Sequence, residues 1–325
     1  KKLAVIDVSN WNTAKVTTMR YMFNDCHSLT ELNLTTWNVR NVTDMGYMFN
    51  ATDNGPRMSL TTIGDVSNWD TSKVTKMDNM FDDCSALTSV DVSRWDTGKV
   101  TTFYGMFRRC NNLQSVDVSN WDTGKVINMD ACFAGCTNMT SIDLSRWNTS
   151  KAENITNVIQ NCYKLKEIDL SNWDVSKVTH MGGIFDDMGI GTGRDTEIKI
   201  NISNWNTVNG KYFGWLFYSS DAPSLDKTYN IKELDITNLD LSNALEITYL
   251  ISPLYAMELE NPIIRCSVPC TIDIIALQLP RLSYLVFPSS TRIDVKPEQS
   301  ENALSPILVT LLGMVMDVKP RQPQN

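Results

Sequence analysis

Val74-Thr75-Lys76-Met77-Asp78-Asn79-Met80-Phe81-Asp82-Asp83-Cys84, followed after two residues by Leu87-Thr88-Ser89-Val90-Asp91-Val92-Ser93-Arg94-Trp95-Asp96-Thr97, holds one unit of a long internal repeat. In the second segment Val90, Asp91, Val92 and Ser93 alternate apolar and polar. That period of two predicts a strand with the valines inward and Asp91 and Ser93 outward. In the first segment apolar residues fall at i, i+3, i+6, i+7 and i+10, which predicts a short helix with one buried face. Asp70, Thr71, Ser72 or Thr75 would then accept from its free amides as the N-cap.

Tryptophan sets the period. Trp11, Trp37, Trp69, Trp95, Trp121, Trp147, Trp173 and Trp205 lie 26 or 32 residues apart, and Leu239 takes the same slot 34 further on. A unit this small cannot bury its own faces, so about nine units are expected to stack, with a strand-to-strand spacing of about 4.8 Å. The longer spacings mark insertions between helix and next strand, near 50–64, 186–199 and 218–232, all expected along one edge. They are rich in turn residues, as in Asp53-Asn54-Gly55-Pro56. Residues 1–252 form the repeat region. Residues 253–325 read as degenerate repeats, punctuated by Pro262, Pro288, Pro297 and Pro320, with a C-terminal cap and polar tail. Lys1 to Asp7 already lie inside a unit, so the polar cap of the first coil is expected upstream.

The repeat explains most conspicuous residues as packing. Cys26, Cys84, Cys110, Cys136 and Cys162 share one slot and Cys132 occupies a Met slot, the pattern of a buried thiol ladder. Cys266 and Cys270 stand outside the repeat as the disulfide candidates. The Trp, Met and Phe columns sit at core offsets. Lys15, Lys73, Lys99, Lys125, Lys151 and Lys177 form a solvated edge. His27 and His180 occupy variable slots and read as surface residues. No nucleophile, base and orienting group converge, no phosphate loop or zinc spacing occurs, and no enzyme, cofactor or metal is expected. A net charge of -8 disfavours nucleic acid as a partner, and no apolar run is long enough to span a bilayer.

Two groups of residues remain as candidate sites. The insertions supply Asp53, Asn54, Arg57, Arg194, Asp195, Asp221, Lys227 and Tyr229, where the monotony of the repeat breaks. The outward strand column, Asp65, Asp91, Asp117, Asp143 and Asp169, is a candidate strip for a cation or a cationic partner, because carboxylate oxygens are hard-ion ligands. The bland account of that column is local hydrogen bonding of each Asp to Ser, Trp or backbone donors.

The unit Ile-Asp-Val-Ser-Asn-Trp-Asp-Thr-Ser-Lys-Val-Thr-x-Met-x-x-Met-Phe-x-x-Cys resembles the 26-residue repeat of bacterial surface proteins in the BspA-like leucine-rich-repeat family, and residues 282–293 are similar to its 23-residue repeat. Apolar residues at offsets 1, 4 and 6 from Leu87 match a leucine-rich-repeat strand. The expected fold is therefore α/β, a right-handed leucine-rich-repeat-like solenoid with short parallel strands on one face and short helices on the other. The resemblance implies an extracellular or cell-surface protein with adhesive roles toward a protein or glycan ligand. The other reading is a structural spacer that holds another module away from a bacterial cell or a phage virion.

Overall fold

The computed structural model describes residues 4–52, 55–189, 197–218, 229–233, 239–241, 243–245, 255–257, 263–266 and 284–286. Successive repeats lie side by side in parallel register. Thr18 bridges Asp44 and Asp44 bridges Lys76, while Thr102, Asn128, Asn154, His180 and Tyr212 form a second unbroken series of bridges.

The segment expected to be helical is a run of β-turns, and the described residues contain no helix. Phe103 to Cys110 shows why. The amides of Met106, Arg108 and Cys110 donate three residues back, to the carbonyls of Phe103, Gly105 and Phe107 at 3.1, 3.0 and 3.2 Å. The alternate amides of Phe103, Gly105, Phe107 and Arg109 leave the repeat and donate to Asn128, Asp130, Cys132 and Ala134 of the next one at 2.9, 2.9, 2.8 and 2.6 Å. A helix would keep all of these bonds to itself. The turns require a left-handed residue every fourth position, and φ is +60° at both Gly105 and Arg109, +50° and +60° at Asn79 and Asp83, and +55° and +57° at Asn157 and Asn161. Gly, Asn and Asp dominate these slots because they tolerate that region best.

The expected N-cap is absent with its helix. Thr71 is buried, and its hydroxyl donates to the Asp96 carbonyl of the next repeat at 3.0 Å. Thr97, Thr123 and Thr149 repeat the bond to Asp122, Asn148 and Asp174.

Regular strand is also scarcer than the sequence pattern suggests. The strands are β1 (Glu167–Asp169), β2 (Glu197–Asn201), β3 (Tyr229–Glu233), β4 (Asp240–Leu241), β5 (Tyr255–Met257), β6 (Ile263–Cys266) and β7 (Tyr284–Val286). They form two parallel sheets, ordered β1-β2-β3-β5 and β4-β6-β7. In the earlier repeats the alternating segment is extended, with Asp91 exposed and Val92 buried, but it does not build a strand ladder. The α/β leucine-rich-repeat solenoid is thus corrected: neither its helices nor its continuous strand face forms. Backbone hydrogen bonding between repeats is concentrated in the turn runs, where it also satisfies the donors that a helix would have satisfied internally.

The interior consists of ladders of like residues. Phe49, Phe81, Phe107 and Phe133 stack with ring centroids 5.3, 5.2 and 5.6 Å apart, and Trp121, Trp147 and Trp173 stack at 6.3 Å. Each indole also reaches back one repeat: Nε1 of Trp95, Trp121, Trp147 and Trp173 donates to the carbonyls of Val66, Val92, Val118 and Leu144 at 3.0 to 3.1 Å. The thiols of Cys84, Cys110, Cys136 and Cys162 are buried and free, and donate to Phe49, Phe81, Phe107 and Phe133. Burial raises their pKa, to about 12 for Cys162, which makes them inert packing groups. Cys26 is free and half-buried.

Candidate functional site

The aspartate strip is built from local turns. In each of four repeats the Ser67, Ser93, Ser119 or Ser145 amide and hydroxyl both donate to Oδ1 of the aspartate two residues earlier, with the hydroxyl at 2.6 to 2.7 Å. The same serine bonds hold the carboxyls of Asp65, Asp143 and Asp169 below their ordinary range. Asp143 and Asp169 line an open cleft of about 530 Å³ between residues 142–145, β1 and β2. No group of three or more His, Cys, Asp or Glu placed to hold a metal occurs among the described residues.

Of the insertion residues, Asp53, Asn54, Arg194, Asp195, Asp221 and Lys227 lie outside the described residues, as do Cys270 and the expected C-terminal cap and tail. Tyr229 opens strand β3, paired with Tyr255 of β5, rather than sitting in a loop. Arg57 is exposed, and its chain folds back onto the turn runs: the Met58 amide donates to the Asp83 carbonyl at 3.1 Å, Arg57 Nε lies 3.8 Å from Asp83 Oδ1, and its guanidinium donates to Asn111.

The outward side of the turn runs carries what the sequence did not single out. Arg20 pairs with Asp44 of the next repeat at 3.2 Å and with Asp78 of the one after at 3.0 Å, crossing Gly46 and lying over the rings of Tyr21 and Tyr47. A Cβ on Gly46 would strike the Arg20 guanidinium and come within 2.8 Å of Asp78 Oδ1. Two slots along, Arg108 grips the buried Asp82 through Nε at 3.0 Å and Nη2 at 2.6 Å, and Arg109 reaches Asp82 and Asp83 at 3.4 and 3.0 Å. Burial pushes Asp83 upward despite Arg109, and it raises Asp130 as well. Asp186 is pushed up to about 6, chiefly by burial, while a bond from Gln160 Nε2 at 2.7 Å works the other way.

At 156–215 the same face hollows into a groove of about 420 Å³ lined by Thr156, Asn157, Gln160, His180, Gly182, Gly183, Tyr212, Gly214 and Trp215. His180 is exposed as expected, but it is not isolated: its ring stacks on Tyr212 at 4.4 Å, and Nδ1 lies 2.8 Å from the Thr179 hydroxyl. His27 is half-buried beside Asp25, with 3.5 Å between Nε2 and Oδ1. The signal that could have found this face was available. Trp215 breaks the tryptophan period, and glycines fall together at 182, 183 and 214, in slots that carry side chains in most other repeats.

A family model described as Mycoplasma protein of unknown function, DUF285, matches residues 2–54, 53–167 and 132–252. No curated protein and no solved structure matches the chain. These findings replace the resemblance to BspA-like leucine-rich-repeat proteins, as the turn runs in place of helices also require. The chain belongs to the family described as Mycoplasma protein of unknown function, DUF285.

Proposed function

We infer that this protein is a non-enzymatic recognition scaffold, exposed on a bacterial cell surface or outside the cell, that presents the outward side of its turn runs to a protein or glycan ligand. One observation carries the reading: the repeats are joined there by backbone amides, which do not require a particular outward side chain, and those side chains differ from repeat to repeat. One slot runs Arg20, Gly46, Asp78, Tyr104, Asp130, Thr156, Gly182 and Gly214. Diversity on a repeated frame is what a recognition surface needs, and fold alone carries no function. The buried, protonated thiols and the local Asp–Ser pairs supply no nucleophile and base in contact.

The uniform Asp–Ser edge favours a second reading, a spacer between a surface and another module. Labelled full-length protein incubated with arrayed glycans, extracellular-matrix proteins and intact host cells separates the two. The scaffold predicts saturable binding that unlabelled protein competes away and that Arg20→Glu with Arg108→Glu alters. If none of the three supports shows saturable binding, the spacer reading replaces it.

A further inference from the structure

We propose that the groove at 156–215 is a carbohydrate site that takes a neutral or N-acetylated sugar ring. This rests on the scaffold reading and names the ligand class for one part of its surface. Sugar recognition needs an aromatic face for the C–H side of a pyranose, amide and hydroxyl groups for its hydroxyls, and room for the ring to approach the backbone. All three meet here. Trp215 is 44% exposed although it is an aromatic residue in the left-handed region, at φ +64°. The stacked His180 and Tyr212 rings supply a second aromatic surface.

Between them the floor is bare. A Cβ on Gly182 would lie 2.5 Å from the Gly214 carbonyl oxygen, so backbone packing keeps that position as glycine, while Gly183, at φ +63°, leaves the Asn157 side chain uncovered. The Asn157 side-chain amide makes no hydrogen bond within the described residues. Gln160 is fixed the other way. Its Nε2 is committed to Asp186, which leaves Oε1 as an acceptor for a sugar hydroxyl. The cavity, at about 420 Å³, falls within the range of about 300–1,000 Å³ typical of small-molecule sites. Asp130 occupies the slot of Thr156 and Gly182 one repeat before the groove, and the buried Asp186 holds the groove residue Gln160, so carboxyl groups border the site and would oppose an acidic sugar.

The test uses the full 325-residue chain on an array of neutral, N-acetylated and sialylated oligosaccharides, followed by calorimetric titration with the strongest neutral hit. Trp215→Gly removes the ring, with its 5.3 Å contact to Tyr218, and places the residue that best suits a left-handed φ, and a thermal melt of the variant checks that the fold survives the change. Gly214→Asp fills the floor as a second, independent variant. The expected result is saturable binding of a neutral or N-acetylated glycan, weaker binding of its sialylated form, and at least a tenfold loss of affinity in Trp215→Gly at unchanged melting temperature. Binding that survives both variants, preference for the sialylated form, or no glycan binding overturns the sugar site. The broader scaffold reading has its own readout: saturable attachment to matrix protein or cells that persists in Trp215→Gly would keep the scaffold and sink only the groove.

Discussion

Within a single repeat the turn run and the Asp–Ser edge solve opposite problems. At the edge, each aspartate is satisfied by the serine two residues later, inside its own repeat. The contact needs the Asp carboxylate and the Ser hydroxyl as well as the serine amide and must be written again in every unit, so the edge is uniform. In the turn run the contacts between repeats are backbone amide to carbonyl, as from Asn79, Phe81 and Asp83 to Tyr104, Met106 and Arg108 at 2.7, 2.9 and 2.8 Å. Such bonds do not depend on the outward side chain. The half of the repeat that holds the stack together is therefore also the half free to diversify, and the constrained half is the one facing solvent with little to say.

Substitutions separate the two halves most sharply where the backbone must be left-handed. Gly105→Val combines φ +60° with a Cβ driven onto the Asn79 side chain, and it should cost about 3 kcal/mol or more of unfolding free energy. Denaturant unfolding checks this, and a loss below about 1 kcal/mol would mean that the turn geometry is wrong. Arg108→Met leaves the buried Asp82 with Arg109 at 3.4 Å and the Asn50 amide at 3.1 Å, which predicts a loss of about 2 kcal/mol. Adding Asp82→Leu should recover part of that loss in the same melt, because the charge that needed a partner is gone.

The pH response divides the faces by sign. Asp186 has a folded pKa of about 6 against an ordinary 3.8. The folded state therefore binds its proton more tightly, and its contribution to stability falls as pH rises from about 4 to 6. The serine-held carboxyls of Asp143, Asp169 and Asp174 are lowered. Their contribution is present above the ordinary carboxyl pKa and is lost as the medium becomes more acid. Asp186→Asn should accordingly stabilise the protein at pH 7 by about 1 kcal/mol, less than the full shift implies because a polar amide remains buried there. It should also flatten the fall between pH 4 and 6 in a series of thermal melts. Smallest of all is Ser93→Ala at the edge, about 0.5 kcal/mol. A double-mutant cycle with Ser119→Ala should show no coupling, since each bond closes within its own repeat.

Much of the architecture was legible in the sequence, and its misreadings have a physical origin. The tryptophan spacing gave the repeat and its stacking, and the core offsets placed the Phe column and the Trp column from Trp37 onward in the interior, with Cys84, Cys110, Cys136 and Cys162, whereas Trp11 is exposed and Cys26 half-buried. The helix was misread because tandem four-residue turns bring apolar residues to i, i+3, i+4 and i+7, as Met77, Met80, Phe81 and Cys84 do, and these are helical offsets too. Two signs argued against it. Val74 and Met80 are both fully buried although six residues apart, about 240° around a helix and off a single face. Asn79 and Asp83, Asn157 and Asn161, and Gly183 and Asp187 occupy slots four apart, which is turn chemistry. Arg57 was placed in the sequence at a loop tip, and its tie to Asp83 comes from a fold-back that no local pattern encodes. Trp215 was passed over because eight other tryptophans follow a core period.

Gly46 has a consequence for how this stack comes apart. Repeat arrays commonly behave as chains of nearest neighbours, peeling unit by unit. By letting Arg20 reach over it to Asp78, this glycine introduces a second-neighbour coupling, and three units then fray together as one block. Hydrogen exchange would show that as a shared protection level for the amides of Met19, Met45 and Asn79, with a step down between them once Gly46→Ala cuts the span.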